Sequence, residues 1–372
     1  MKIIHFSDTH LWIWMDNTSR DEDFYKNFFK IIDDILIQKP DFVIHTWDLF
    51  HSSKPSNKAI SIANKWFLKL EKAGIKTIII AWNHDTPRLS TTTHVFSIFE
   101  NFENFKFFYK EKLEVFETEK INFVCLPHIY SQEKFREEFL NALDKINSKK
   151  INIFMSHFWL QAKEYEEYSD EISGVNILLE ELKKLKKFDY VALGHYHKNF
   201  CLTKKICYSG SLEHTSFNAK DDKIWYNILE FDEKWNFEKK VINLDYRKML
   251  DLWNINCENF QTTEELLEFL DEKFDKKELN WAIVKIFFEN INNHLLLEFQ
   301  DKKIIEFFKN TFYFEYKKSK LEDKKNNFWA KVDINKKNFL EDVFLDFLKE
   351  FEFPEWVDKK ELEKELLLII KN

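Results

Sequence analysis

Apolar residues follow two rhythms along the first two-thirds of the chain. Short continuous runs predict strands at Lys2–Phe6, Phe42–Thr46, Thr77–Ala81, Asn122–Leu126, Ile151–Ser156 and Tyr190–Leu193. Between them, apolar positions three and four apart predict helices at Asp21–Gln38, Asn57–Ala73, Gln132–Ile146 and Asn176–Lys186. Alternating strands and helices imply a layered α/β domain. Three later runs, Ile206–Tyr208, Lys223–Phe231 and Phe237–Asn243, have no helices between them and are expected to complete a second sheet as antiparallel strands. The expected whole is a four-layer sandwich, two mixed β-sheets flanked by helices.

The pattern changes near Tyr246–Asn254. A helix at Thr263–Phe274 and strands at Ala282–Phe288 and Phe312–Tyr316 predict a small α+β unit. Two strongly periodic helices close the chain. The first carries Phe339, Leu340, Val343, Phe344, Phe347, Leu348 and Phe351, the second Leu362, Leu366, Leu367, Ile369 and Ile370, with Pro354 between them. Apolar faces separated by a short break suit a partner-binding hairpin. The expected domains are 1–247, 248–335 and 336–372.

Composition narrows the function. A length of 372 residues suits more than one domain. A net charge of −8 gives no global basic field, which argues against a passive DNA-coating protein but not against a DNA enzyme. Cys125, Cys201, Cys207 and Cys257 form no CxxC pair and are expected to be free thiols in a reducing compartment. The first residues lead straight into polar chemistry, and no apolar run of about 18 residues occurs, so a soluble, cytoplasmic protein without membrane contact is expected.

That chemistry lies in five clusters, each after a predicted strand: Asp8-Thr9-His10, Asp48-Leu49-Phe50-His51, Asn83-His84-Asp85, His157, and Gly194-His195-Tyr196-His197. In extended backbone, residues i and i+2 point the same way, so Asp8 and His10 can reach one cation together, and so can His195 and His197. Adjacent residues diverge, letting Asn83 offer its carbonyl oxygen while His84 faces a substrate. Asp48, a lone carboxylate, suits a bridge. The mixed N/O donor set fits Mn²⁺, Fe²⁺ or Zn²⁺ better than Ca²⁺. Two such ions about 3.5–4 Å apart would activate a water and clamp a phosphate for in-line displacement. One DxH or HxH pair means little; five clusters in this order mean a great deal.

The motifs HFSDTHL at 5–11, TxDLFH at 46–51, NHDTPRLS at 83–90, LGHYHK at 193–198 and YSGSLE at 208–213 resemble the calcineurin-like metallophosphoesterase superfamily, and within it the SbcD-type nuclease subunit of double-strand-break repair complexes. The resemblance covers residues 1–245 and continues more weakly beyond. It implies one cation held by Asp8, His10, Asp48 and His197 and a second by Asp48, Asn83, His157 and His195. Mn²⁺ is implied first, with Mg²⁺, Fe²⁺ or Zn²⁺ also suitable. His84, with Asp85 beside it, would protonate or stabilise the leaving oxygen, and His51 would touch the scissile phosphate. The implied activity is 3′–5′ exonuclease on duplex ends and endonuclease on single strands. The implied assembly is a nuclease homodimer in a heterotetramer with an SbcC-type coiled-coil ATPase, residues 248–335 forming a DNA-binding cap and 336–372 gripping the ATPase.

Outside the clusters, Arg88 could touch phosphate or make a surface ion pair, and His214, after the Gly210-Ser211 turn, could line a substrate groove with Ser211. The lysine runs at 183–187 and 317–325 suit a solvated face better than a DNA track.

Tryptophans break the resemblance. Trp12, Trp14, Trp47, Trp82 and Trp159 stand where its motifs have glycine, and Trp235 occupies the Asp232–Asn236 turn. Glycine is scarce, 4 of 372 residues against roughly 7% in ordinary usage. A bulky residue at a backbone site that requires φ > 0 costs about 1–2 kcal/mol. We therefore expect UGA codons that the source reads as glycine; UGG codons would contradict this. Trp66, Trp281 and Trp329 sit in ordinary helix or strand contexts. Two further readings remain: a small-molecule or cyclic-nucleotide phosphodiesterase of the same superfamily, and a non-catalytic scaffold if Trp47 and Trp82 are genuine.

Overall fold

A computed structural model describes residues 1–15, 17–46, 48–88, 92–166, 174–252 and 254–321. Trp47, Ser90, residues 322–335 of the expected cap and the terminal helices expected at 336–372 lie outside the described residues.

The chain divides into two compact units. The first comprises Met1–Asp251, Asp275–Lys285 and Phe308–Phe314. It holds two six-stranded mixed sheets. From edge to edge, the first runs Phe237–Asn243, Trp225–Phe231, Lys2–Phe6, Phe42–His45, Lys76–Ile80 and Phe105–Phe108. The second runs Phe200–Cys201, Ile206–Tyr208, Tyr190–Gly194, Ile151–His157, Ile121–Cys125 and Glu114–Glu117.

Side-chain alternation explains the layers. Ile3, Phe42, Ile44, Ile78 and Ile80 join residues of the second sheet, among them Phe123, Ile153 and Val191, in one core. The intervening Ile4, Val43 and Ile79 face the other way, into a core shared with two helices. Helix Asp21–Gln38 presents Phe24, Phe28, Ile31, Ile32 and Ile35 to it. Helix Asn57–Lys72 starts where the Ser56 side chain accepts a hydrogen bond from Ala59 N–H, and buries Ile62, Trp66, Phe67 and Leu70. Each such side chain, fully buried, contributes about 1.5–3 kcal/mol of transfer free energy.

Four expectations need correction. The runs at 206–243 do not complete one sheet. Ile206–Tyr208 pairs parallel with Tyr190–Gly194, whereas Trp225–Phe231 and Phe237–Asn243 extend the first sheet beside Lys2–Phe6. The helix expected at Asn176–Lys186 begins as a strand, Asn176–Leu178, paired with Trp159–Gln161, before a short helix at Leu179–Leu182. The unpunctuated run Ile177-Leu178-Leu179 satisfies either period. Cys201 and Cys207 are not free: the antiparallel pair Phe200–Cys201 and Ile206–Tyr208 sets them directly opposite, and they form a disulfide, while Cys125 and Cys257 remain free and buried. Trp281, placed in an ordinary context by its neighbours, has φ of 59°.

Among the described residues, the second unit comprises Leu252–Phe274, Ile286–Phe307 and residues 315–321. Its helix Thr263–Lys273, capped by Thr262, buries Leu266 and Leu270, and helix Asp301–Phe307 buries Ile304. Among the described residues, no helix is long and apolar enough to cross a membrane.

Candidate metal centre

Lys2–Phe6, Phe42–His45 and Lys76–Ile80 run parallel in one sheet, Ile151–His157 and Tyr190–Gly194 parallel in the other. All five clusters therefore emerge at carboxyl ends of parallel strands, where open α/β sheets bind ligands. Leaving the sheet requires unusual backbone: φ is 48° at Asp8, 38° at His10, 47° at Asp48 and 101° at His195. Such strain in non-glycine residues persists where the surroundings hold it, and it concentrates at functional sites.

Two groups of donor atoms result, each within 4.8 Å: Asp8, His10 and His197, and Asp8, Asp48 and His157. His10 Nε2 and His197 Nε2 stand 3.0 Å apart. Asp8 is common to both groups, and Asp48 Oδ2 of the second lies 3.8 Å from His10 Nε2 and 3.7 Å from His157 Nε2. His195 and His197 do not act as a pair: with φ of 101° at His195 the period of two fails, and the His195 ring lies 5.2 Å from that of His157 while His197 faces His10. Asp8 accepts hydrogen bonds from the Ser7 hydroxyl and from His195 N–H. Glycine is required at 194, because a Cβ there would lie 2.2 Å from the Thr46 carbonyl oxygen and 2.8 Å from His157 Nδ1.

The electrostatics decide what fits. Burial, reinforced by the neighbouring imidazoles, holds His10 and His157 well below the usual histidine range, so both are neutral. His157 donates Nδ1–H to the Thr46 carbonyl at 3.2 Å, which leaves the Nε2 lone pair facing Asp48 Oδ2. Two acceptors facing across 3.7 Å repel unless a cation lies between them. Burial also pushes the Asp8 carboxyl up to about 7, against the field of His197. Neutral imidazoles and an Asp8 carboxyl disfavoured as an anion converge with Asp48 on one volume, which matches the needs of a divalent cation.

The other expected residues are placed as follows. Asn83 and His84 are half-buried at the rim. The His84 ring stacks on His51 at 5.4 Å and meets His10 edge-on at 5.4 Å. Asp85, expected beside His84 in proton transfer, is buried and accepts hydrogen bonds from Leu49 N–H at 3.2 Å and Phe50 N–H at 3.0 Å, so it anchors the loop carrying Asp48 and His51. Arg88 is exposed. Ser211 donates its hydroxyl to the Glu213 carbonyl at 2.6 Å and its N–H to the His197 carbonyl at 2.9 Å. His214 cannot line a groove: it is 1% exposed, and its Nε2 is 2.9 Å from the Asp222 carbonyl oxygen. Trp82 is buried with its indole 5.1 Å from the His157 ring. Sequence reasoning missed Thr46 and Thr215, which hold Nδ1 of His157 and His197. Thr46 lies two residues before Asp48, the start of the second cluster; nothing in its spacing marked Thr215.

A family model described as calcineurin-like phosphoesterase matches residues 1–199. Among similar proteins, the DNA double-strand break repair protein Mre11 of Sulfurisphaera tokodaii is 34% identical over 198 residues, 53% of this chain and 49% of that protein. Mre11 of Methanococcus maripaludis is 29% identical over 321 residues, 79% of this chain and 81% of its own. The SbcD component of the nuclease SbcCD of Staphylococcus epidermidis is 26% identical over 275 residues, 68% and 72% of the two chains. The chain thus spans about half the length of the first of these relatives.

Proposed function

The chain belongs to the calcineurin-like phosphoesterase family, and from that premise we propose that it is a metal-dependent DNA nuclease of the SbcD type. It would degrade duplex ends 3′ to 5′ and cut single strands. The observation that carries the reading is one carboxylate oxygen, Asp48 Oδ2, lying 3.8 Å from His10 Nε2 and 3.7 Å from His157 Nε2. The names of the similar proteins, DNA repair proteins and a nuclease component, supply the substrate class.

Asp8, His10, Asp48 and His197 would hold one divalent cation, and Asp48, Asn83, His157 and His195 the other, with Mn²⁺ the first choice. Bound there, the ions supply Lewis acidity and an activated water. The protein's own contribution is positional. His84 donates Nδ1–H to the His51 carbonyl at 3.0 Å, so Nε2 is the ring atom that would face the leaving oxygen, and it would hand over a proton when the ring is doubly protonated. The His51 ring, stacked on His84, would meet the phosphate. Asp85 keeps the loop that carries His51 in register. We further propose that residues 336–372, outside the described residues, dock an SbcC-type ATPase in an assembly built on a nuclease homodimer.

The test is degradation of end-labelled duplex DNA with Mn²⁺, alongside bis-p-nitrophenyl phosphate, with and without the ATPase. Cleavage of the small ester but never of DNA would point to a small-molecule phosphodiesterase. Inactivity on both would point to a scaffold, the reading favoured by the Trp82 indole lying against His157.

A further inference from the structure

We propose that Thr215 is a positioning residue for His197: its hydroxyl oxygen fixes the imidazole tautomer and so sets the cation affinity of the Asp8–His10–His197 corner. The proposal rests on reading that corner as a cation site. Thr215 Oγ1 lies 2.6 Å from His197 Nδ1. With Nδ1–H donated to that oxygen, Nε2 carries only a lone pair, directed at the corner it shares with His10 Nε2 at 3.0 Å. Such outer partners orient ligating histidines and raise their basicity.

The loop bearing Thr215 is built to be stiff. Ser211 N–H ties it to the His197 carbonyl at 2.9 Å. The buried Glu213 carboxylate accepts His214 N–H at 2.9 Å and Arg247 N–H at 3.1 Å. Arg20 donates to the His214 carbonyl at 3.1 Å and, with Arg247, grips Asp23 on the first helix. A hydroxyl held this firmly can enforce a ring orientation. By contrast, His10 Nδ1, also buried, has no hydrogen-bond partner among the described residues.

The test compares the full chain with Thr215→Val, nearly isosteric but without the oxygen, and Thr215→Ser, which keeps it. Mn²⁺ binding is followed by calorimetry and thermal melting checks the fold. We expect Thr215→Val to weaken one binding step by about 10- to 100-fold, with Thr215→Ser restoring it. Unchanged Mn²⁺ affinity in Thr215→Val would overturn the proposal, as would equal weakening in both variants. Failure of the unmodified chain to bind Mn²⁺ would instead sink the cation-site reading beneath it.

Backbone angles carry a second inference independently. Trp12, Trp235 and Trp281 have φ of 77°, 65° and 59°. Among the described residues, ten non-glycine positions have positive φ; four are Asp or Asn, which tolerate it, and three are tryptophans, although tryptophan fills only 12 of 372 positions. Trp235 sits at the end of the turn joining Trp225–Phe231 to Phe237–Asn243, where Asp232 N–H meets the Asn236 carbonyl at 2.8 Å, a position that selects glycine. We infer that positions 12, 235 and 281 are glycine in the protein its own cells make, read from UGA codons. Trp14, Trp82 and Trp159 lack this backbone signature. Peptide mass spectrometry of protein purified from the source organism tests this: glycine masses at 235 and 281 are expected, and tryptophan masses there would overturn the inference.

Discussion

His84 donates its Nδ1–H to the main-chain carbonyl of His51 at 3.0 Å, and the two rings lie within 18° of parallel. One histidine thus sets the proton-bearing atom of the other, and neither ring has to leave the rim to do so. His84 can act on a substrate without being a ligand.

The corresponding prediction concerns His84→Ala. Removing a general acid lowers turnover by about 10²- to 10⁴-fold, while the cation donors stay in place. Full Mn²⁺ stoichiometry with lost DNA cleavage is expected. Loss of bound Mn²⁺ would show that His84 is itself a ligand.

Gly194 supplies the second prediction. Its missing Cβ leaves room for the Thr46 carbonyl, which a Cβ would approach to 2.2 Å, and that carbonyl orients His157. Gly194→Ala should cost about 1–3 kcal/mol by overpacking and weaken Mn²⁺ binding as His157 is displaced. Melting and Mn²⁺ titration check both parts. A variant with unchanged Mn²⁺ affinity would contradict the orienting role of Thr46.

Stability should depend on pH in a definite direction. Burial holds the imidazoles of His5 and His45 at about 3 and those of His94 and His128 at about 4. In the unfolded chain each takes up a proton below about 6.5. Between about 4 and 6.5 the unfolded state therefore binds more protons, and stability rises with pH. Glu213 works in the opposite sense: burial pushes it up to about 7, so the folded state keeps a proton that the unfolded state has released, and stability falls there as pH rises. At the site, Asp8 and Asp85 are pushed up and His10 and His157 down, two of each sign. The histidines outnumber the acids. The melting temperature of chelator-treated protein should climb from pH 4.5 to 6.5 and level off near 7; a decline across that interval would contradict the burial of these rings.

The six central strands were legible in the sequence because strands buried on both faces read as continuous apolar runs, such as Ile78-Ile79-Ile80. The edge strand Glu114–Glu117 escaped notice because half its residues are charged. The clusters were legible as chemistry, since each follows a strand. Their partition was not, because it depends on where the backbone leaves extended geometry, as at His195. His214 illustrates a second limit. Proximity to a turn suggested exposure, but the Arg20–Glu213 brace pulls the segment inward. Thr215 illustrates a third: residues 197 and 215 meet only because the loop returns after the Ile206–Tyr208 strand.

The tryptophans offer a prediction whose sign differs between two positions. Trp235 is partly exposed, and its left-handed backbone costs an L-residue about 1–2 kcal/mol, a cost glycine does not carry. Trp235→Gly should therefore stabilise the chain by about 1 kcal/mol. Trp66 lies within helix Asn57–Lys72, fully buried against Phe28, Phe67 and Phe105. There glycine removes a large packed side chain and weakens the helix, so Trp66→Gly should destabilise by about 3–5 kcal/mol. Urea unfolding of the two variants against the parent measures both. Stabilisation at 235 with loss at 66 follows if backbone conformation decides the first position and packing the second. Destabilisation at 235 would mean that the indole contributes more through its contacts than the backbone angle costs, and the case for glycine in that turn would fail.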